Sequence, residues 1–412
     1  MSRILVQSCC YPVVLPASQP PAPPHSHHTI MDLNVAMEEA APPLPAPADS
    51  EGTASSVSAL SHDLLARMCD ILRQHGNRGE QAVQFSRATC AAVAAAPEFA
   101  DITRRTSLLR QADFSLLADA ERLCSFSNVV NLLRLHAMVV LGPPRASLEW
   151  VSWSRSVGYS LGTLGLVSLF DLEHTFLRPT LHIPRMFNGC LRYFCRRLPK
   201  GHPWHSQAVQ LIEPNIAYAV WFGGASAPAP VPLLPATYRS TLQNARTHYL
   251  LKNVVLTTSS VPGEGSQLVL PQMLQWFRGD FVEQLEPLEG LGDTPLLNYL
   301  KEALPAGSRI HSVATNADAS EVAFSAFSWA PLCDLSDIGP VDARQAPSKP
   351  LTVAAFSDPA VDRAQQRPRH FLQPATVDYL AGKNQVMATT ALLLHPPLAS
   401  STKVFDETSS PG

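Results

Sequence analysis

The placement of proline divides this chain into stretches that can and cannot build a hydrophobic core. Its 412 residues include 37 prolines, nearly double the usual share of about 5%. Residues 1–58 combine clustered prolines with Ala, Ser and Glu, and residues 335–412 return to a similar composition. Such stretches bury too little apolar area to offset the entropy that is lost on ordering. The sequence therefore predicts one domain over residues 59–334, between two mostly disordered tails.

Between the tails, apolar residues recur with recognisable periods. Helices are predicted at about 60–75, 80–96, 100–112, 119–141, 237–252 and 296–304. The longest has a broad apolar face and ends at Gly142, and Ser168 caps a shorter helix that Pro179 ends. Extended segments are predicted at 149–167, 216–222, 253–258 and 321–330, with a strand that leads into a helix at 267–281. This mixture predicts an α+β fold, a single helix-rich domain packed around a small mixed sheet.

The charge balance argues against nucleic acid and membranes as partners. There are 31 basic and 34 acidic residues, for a net charge of -3, so no overall field favours a polyanion. The sequence has no run of 18 apolar residues, so we expect no membrane span. The first 20 residues resemble a signal peptide only faintly, because Gln7, Ser8 and Pro12 interrupt the apolar stretch. Since neither a Walker loop nor a G-x-G-x-x-G motif occurs, we expect no cofactor.

The eight cysteines are scattered and include no C-x-x-C pair, which is typical of reduced thiols in a cytoplasmic setting. Zinc is the alternative for Cys190, Cys195, His202 and His205. Their C-x4-C-x6-H-x2-H spacing departs from the usual zinc patterns, and a Pro-Trp pair separates the two histidines. The His-rich stretch at 25–28 lies in the predicted tail. We therefore expect no metal site.

Several sequence blocks carry a resemblance to a known family. SLFDLEHTFLR at 168–178 is similar to the signature S-L-x-D-I-E-H-x-I-L-R, and the segment 122–137 keeps two asparagines and a histidine of a second block. Further matches are Tyr159 with Gly162, and a block of Leu270, Pro271, Trp276, Asp280 and Phe281. These blocks resemble the domain-of-unknown-function family 547 over roughly residues 85–332. In plants, that family includes ternary-complex-factor-like proteins with a leucine zipper.

The chain departs from the family's pattern at the reactive residue types. EPNIAYAVWFGGASAPAP at 213–230 aligns with a family segment that carries one His and two Cys. In this alignment the His falls on Ala217 and the two Cys fall on Phe222 and Ala227. The family pattern suggests Cys–His nucleophilic chemistry, yet this chain has no thiol between 196 and 332. Ser226 is an alternative nucleophile, although a serine needs a stronger base and an oxyanion hole.

Glu173 and His174 are the candidate catalytic residues. On the predicted short helix they share a face with Phe170 and Leu177, which points partly toward the core. The pair is interpreted either as a pocket wall with a base or as a buried, hydrogen-bonded pair that fixes this helix against the long one. The structural interpretation is favoured, because buried polar groups are normally satisfied.

Five further residues are predicted to line the same pocket: Asn128, Asn131, His136, Tyr159 and Arg178. The two asparagines lie one turn apart, and they either orient a substrate or tie loop backbone to the long helix. Arg178 lies near the end of the short helix, where a cation interacts favourably with the helix dipole.

Two functional hypotheses follow. The first is a non-catalytic binding or scaffolding module, a pseudoenzyme with an eroded active-site-like pocket and a protein as its partner. The second is a Cys/His-type hydrolase or transferase-like enzyme that uses His174 and Glu173 without a cysteine nucleophile. The first is favoured because the reactive residue types are lost while the helix-core positions match, so the sequence leans against an enzyme.

Overall fold

The computed structural model describes eight stretches of the chain, residues 30–34, 53–76, 82–147, 149–195, 197–258, 266–282, 294–316 and 322–336. The signal-like residues 1–20, the His-rich stretch at 25–28 and most of both predicted tails lie outside them. The predicted N-terminal tail contains strand β1, Met31–Asp32, and the first turn and a half of helix α1, Thr53–His75. Regular structure therefore begins before the predicted boundary at residue 59.

The segment after α1 corrects the predicted helix at 80–96. Strand β2, Ala82–Gln84, precedes helices α2 (Arg87–Ala94) and α3 (Pro97–Thr106). Val83 of β2 is buried and lies opposite Cys333 in an antiparallel pair. The strand depends on a partner about 250 residues away in the sequence, which local periodicity does not reveal.

Helix α4, Asp119–Leu141, forms the centre of the core. Its bounds match the prediction, and Gly142 ends it at a φ of 79°, a conformation that favours glycine. Every residue from Leu123 to Val139 is buried, and each fully buried Leu, Val or Phe contributes about 1.5–3 kcal/mol. The buried surface is wider than one apolar face, because other helices and loops surround α4, whereas Val140 near its end is 48% exposed. By length and hydropathy α4 could cross a membrane, but 94% of its most apolar window is buried inside the fold.

Two predicted extended segments are not strands. Residues 149–156 form helix α5, Glu149–Ser156, and only the following residues are extended, as strands β3 (Val157–Leu161) and β4 (Gly165–Ser168). The apolar run at 216–222 is buried but forms a 3-10 turn over Pro214–Tyr218 and then irregular backbone. Side chains of α4 satisfy part of this backbone, so no neighbouring strand is required.

The rest of the described chain supplies short helices and strands. The predicted helix after Ser168 begins as α6, Leu169–Asp171, and continues as a π turn over Leu172–Leu177. The remaining elements are α7 (Tyr238–Asn253), β5 (Val255–Thr258), β6 (Ser266–Pro271), α8 (Gln272–Trp276), α9 (Arg278–Val282), α10 (Thr294–Ala303), α11 (Arg309–Asn316), β7 (Val322–Ser325) and β8 (Leu332–Asp334).

The described strands form three small sheets, ordered β1-β3-β4, β2-β8 and β5-β6-β7. The pairs β1-β3 and β6-β7 are parallel, and the other pairs are antiparallel. Beyond the ladder, the Asp32 and Asn34 side chains both accept hydrogen bonds from the backbone N–H of Ser160. The prediction of a helix-rich α+β fold is confirmed, with its sheet divided into three parts.

Candidate functional site

The π turn after α6 positions Glu173 and His174. Ser168 caps the segment, because its Oγ accepts a hydrogen bond from Asp171 N at 3.0 Å, and Pro179 follows where the segment ends. A π turn widens the helix and recurs at functional sites. Both side chains line a cleft, where Glu173 is buried against α4 and His174 is half-buried.

Glu173 is held by Arg134, a residue in the middle of α4. The two side chains form a buried salt bridge, and Arg134 also donates to the backbone oxygen of Trp221. Burial alone would raise the pKa of Glu173, but the positive charge of Arg134, with smaller effects of His174 and Arg178, holds the pKa below its usual value. Glu173 is therefore a carboxylate at neutral pH, and its hydrogen bond orients Arg134 rather than His174.

The imidazole of His174 faces the cleft without a hydrogen-bond partner among the described residues. It packs edge-on against Phe170, with ring centroids 4.6 Å apart. Burial lowers the pKa of His174, and the nearby negative charge of Glu173 opposes this only in part. The imidazole is therefore neutral at pH 7, with one nitrogen able to donate and the other able to accept.

Five aromatic side chains line the cleft, together with Val151, Met186 and Leu191: Trp150, Phe170, Phe187, Phe222 and Trp329. The rings support one another, since Trp329 lies 5.8 Å from Trp150 and 5.4 Å from Phe187 between centroids. The polar members of the lining are Arg134, Ser154, Glu173 and His174. The cavity volume is about 40 Å³, whereas one water needs about 10–15 Å³. This space accommodates a few waters or the end of one side chain.

Asn128 and Asn131 tie the loop at 219–233 to α4. The Asn128 amide donates to Leu233 O at 2.9 Å and accepts from Leu233 N at 2.8 Å. Asn131 donates to Ala219 O at 2.8 Å and accepts from Trp221 N at 3.0 Å. Neither asparagine lines the cleft. Their geometry supports the loop-tying alternative of the sequence interpretation.

Replacing Asn131 by alanine is expected to lower the free energy of unfolding by about 2–3 kcal/mol, because Ala219 O and Trp221 N lose a buried partner. Urea denaturation followed by circular dichroism measures the change. Asn253→Ala is the matched control, since that amide makes one hydrogen bond at the end of α7, and we expect it to cost less than about 1 kcal/mol. Equal losses of stability in the two variants would contradict the conclusion that Asn131 ties the loop at 219–233 to α4.

His136 and Tyr159 form a buried pair away from the cleft. His136 Nδ1 lies 2.8 Å from the Tyr159 hydroxyl, and both residues are at most 1% exposed. Burial lowers the pKa of His136 to about 4 and raises that of Tyr159 well above its usual value. Both groups are therefore neutral at pH 7, and their contact is part of the protein interior.

The burial of His136 predicts a pH-dependent stability. The unfolded chain binds a proton at this residue near pH 6.5, whereas the folded chain does so only near pH 4. Stability is therefore complete above about pH 6.5 and is expected to fall by about 3 kcal/mol as the pH drops to about 4. Unfolding free energies at several pH values test this. His136→Gln should flatten the slope, and an unchanged slope would refute the assignment. His174→Gln measures the contribution of the second histidine, which has the same sign.

Arg178 lies behind the cleft wall. It forms a buried salt bridge with Asp280, and its guanidinium lies 4.7 Å from the centroid of Phe277, which in turn stacks on Phe222. Asp280 also accepts a hydrogen bond from His182 N at 2.7 Å. Arg178 therefore joins the α6 segment to α9 and does not line the cleft.

Among the described residues, no thiol forms a hydrogen bond with His174. Cys195 is the thiol that shares surroundings with the cleft. It packs against the cluster that contains Phe170, and the charge of Glu173 acts on it. Burial raises its pKa to about 12, so it stays protonated, and it makes no hydrogen bond to His174. Phe222, the position where the resemblance places a family cysteine, lines the cleft. Ser226 Oγ accepts from Ser328 N at 3.0 Å in a loop contact.

The described residues contain no group of three or more His, Cys, Asp or Glu that could hold a metal ion. The HPWH stretch is a turn in which His202 Nδ1 accepts from Trp204 N at 3.1 Å. The sequence interpretation missed Arg134, Ser154 and Trp150. Arg134 was a usable signal, because it lies in the buried part of the most apolar helix and a buried charge needs a buried partner.

Comparison with known proteins places this site within one family. Residues 114–250 match the family model described as protein of unknown function, DUF547. No curated protein and no solved structure matches the chain. The matched residues run from just before α4 to the end of α7 and include every cleft-lining residue except Trp329. The chain therefore contains a domain of the DUF547 family.

Proposed function

We propose that this DUF547 domain is a non-catalytic binding module, and that its ligand site is the aromatic cleft beside His174. The observation that carries the proposal is the position of Phe222. This apolar ring lines the same cleft as the imidazole, at the place where the family resemblance expects a thiol. A phenyl group can neither attack a substrate nor bind a metal, but it adds to an apolar contact surface.

The charged pair in the cleft also favours binding over catalysis. A general base in a nucleophilic enzyme is normally oriented by a third group that hydrogen-bonds to it. Here the carboxylate next to His174 is engaged by Arg134. The Ser154 hydroxyl lines the cleft but donates to Val151 O at 3.1 Å within its own helix. Nucleophile, base and orienting group are therefore not connected.

A protein is the partner that we propose, because the volume of the cleft suits a single inserted side chain. Binding energy at protein interfaces concentrates on a few apolar or aromatic anchors that fill such pockets. The ring of tryptophan and phenylalanine side chains offers flat apolar walls for an anchor of this kind.

The alternative is a hydrolase or transferase that uses His174. It rests on the neutral imidazole, which faces the cleft together with Ser154 and has no described hydrogen-bond partner. Turnover of a panel of esters and amides by the full chain decides between the two. We expect no turnover that depends on His174. Turnover by the wild-type chain that is lost in His174→Ala would establish the enzyme.

Binding itself is tested on full chain labelled with 5-fluorotryptophan. We expect 3-phenylpropanamide, a neutral probe with one aromatic ring, to shift the ¹⁹F signals of Trp150 and Trp329, and Trp329→Ala to weaken the binding. Trp204→Ala is the matched control, since Trp204 is a half-buried tryptophan that packs on Phe176 outside the cleft. If no cleft signal moves, or if both substitutions act alike, the cleft is not the binding site.

A further inference from the structure

We propose that the cleft recognises ligands in which a carboxylate lies next to an apolar group, and that Arg155 and His174 bind the carboxylate. This inference rests on the binding function proposed above and names its ligand class. Some polar groups at the cleft already have an ion pair or hydrogen bond, whereas others have none among the described residues, and the inference follows from this difference.

Arg155 lies in the last turn of α5, next to the cleft-lining Ser154. Its guanidinium lies 5.5 Å from the centroid of the Phe170 ring. None of the described residues forms an ion pair or a hydrogen bond with it. The ring thus holds the cation at the edge of the cleft while its five N–H groups remain available.

His174 contacts the same phenyl ring, with 4.6 Å between centroids. Phe170 therefore brings a guanidinium and an imidazole to one place, each without a hydrogen-bond partner in the described structure. Guanidinium groups match the fork of two carboxylate oxygens, and a neutral imidazole can donate one further hydrogen bond.

The carboxylates near the cleft do not offer a site for a cation. Glu173 is neutralised by Arg134 inside the wall. Asp171 does not line the cleft, and its carboxylate accepts a hydrogen bond from the Ser168 hydroxyl at 2.6 Å. The available charged group at the mouth is therefore positive, which selects against a cationic ligand and for an anionic one.

The rest of the ligand is limited by the aromatic walls. Trp150, Phe187 and Trp329 line a cleft of about 40 Å³ that is open to solvent. Such a space takes an aryl or short alkyl group rather than a large ring system. The shared chemistry is that of 3-phenylpropanoate, which occurs both as a free acid and as the last residue of a peptide that ends in phenylalanine.

Titration of the fluorotryptophan-labelled full chain with 3-phenylpropanoate and with 3-phenylpropanamide tests the inference, because the two probes differ only in the anionic group. We expect the acid to bind at least about tenfold more tightly, with a preference that weakens in 0.5 M NaCl. Arg155→Gln should abolish the preference for the acid over the amide. Arg239→Gln is the matched control, since Arg239 lies 5.7 Å from the centroid of Tyr238 on α7 and outside the cleft.

Each outcome has a distinct meaning. Equal binding of acid and amide in the wild-type chain overturns the carboxylate inference but leaves the binding function in place. If neither probe moves a cleft signal, the binding function itself is overturned. A preference that survives in Arg155→Gln removes the role of Arg155. Tighter binding of acetyl-Gly-Gly-Phe than of 3-phenylpropanoate identifies a protein C-terminus as the source, and weaker binding identifies a free acid.

Discussion

Glu173→Gln is expected to lower the free energy of unfolding by about 3–5 kcal/mol, because it removes one partner of a buried ion pair and leaves Arg134 uncompensated. The substitution keeps the shape of the side chain, so the loss reports charge and not volume. The wild-type contribution should be present above the usual pKa of a glutamate and should disappear as the pH falls through the lowered pKa of Glu173. Urea denaturation at pH 7 and at lower pH measures both effects.

Two comparisons make this test specific. Asp101→Asn breaks an exposed pair with Arg104, and we expect it to cost less than about 1 kcal/mol. The double substitution Arg134→Met with Glu173→Leu removes both charges, and it should be less destabilising than Glu173→Gln alone. If Glu173→Gln costs no more than Asp101→Asn, the buried pair does not stabilise the cleft wall.

Asp280→Asn has the second large effect, also about 3–5 kcal/mol of unfolding free energy. Asp280 is 1% exposed, and its two oxygens serve Arg178 and His182 N. Arg178 has no alternative within the described residues, because its Nε and Nη1 atoms are buried without a hydrogen-bond partner there. Thermal and urea unfolding of the variant measure the loss.

The matched comparison for Asp280 is Asp334→Asn, which breaks a partly exposed pair with Lys252 and should cost about 1 kcal/mol. Arg178→Met in the Asp280→Asn background should recover part of the stability, since it removes the unpaired buried charge. No recovery in that background would show that Asp280 acts mainly through the backbone of His182.

The sequence predicted those elements whose causes are local. The bounds of α4 follow from its apolar run and Gly142, and the α6 segment follows from Ser168 and Pro179. β2 was predicted as helix because its partner lies near Cys333, far along the chain. The run at 216–222 has the composition of a buried strand, but the amide of Asn131 occupies the hydrogen-bonding groups that a strand would share.

The candidate site was predictable in part. The resemblance placed Glu173 and His174 on one short segment, and both line the cleft. It did not reveal that Arg134 binds Glu173, because that contact joins two helices 39 residues apart. Asn128, Asn131, His136 and Tyr159 look polar enough for a site in the sequence, yet their partners are loop backbone and each other. Only three-dimensional packing separates these two uses of a polar side chain.

The short strand β1 bears on whether a shortened form of this protein aggregates. It covers one side of β3 in register, Met31 beside Val157 and Asp32 beside Gly158. A shortened chain that starts at α1 would leave the β3 backbone open, and an open strand is a template for pairing with other molecules. We expect such a shortened chain to aggregate, and to aggregate more at higher protein concentration. Residues 30–34 would then limit aggregation by covering the edge of β3.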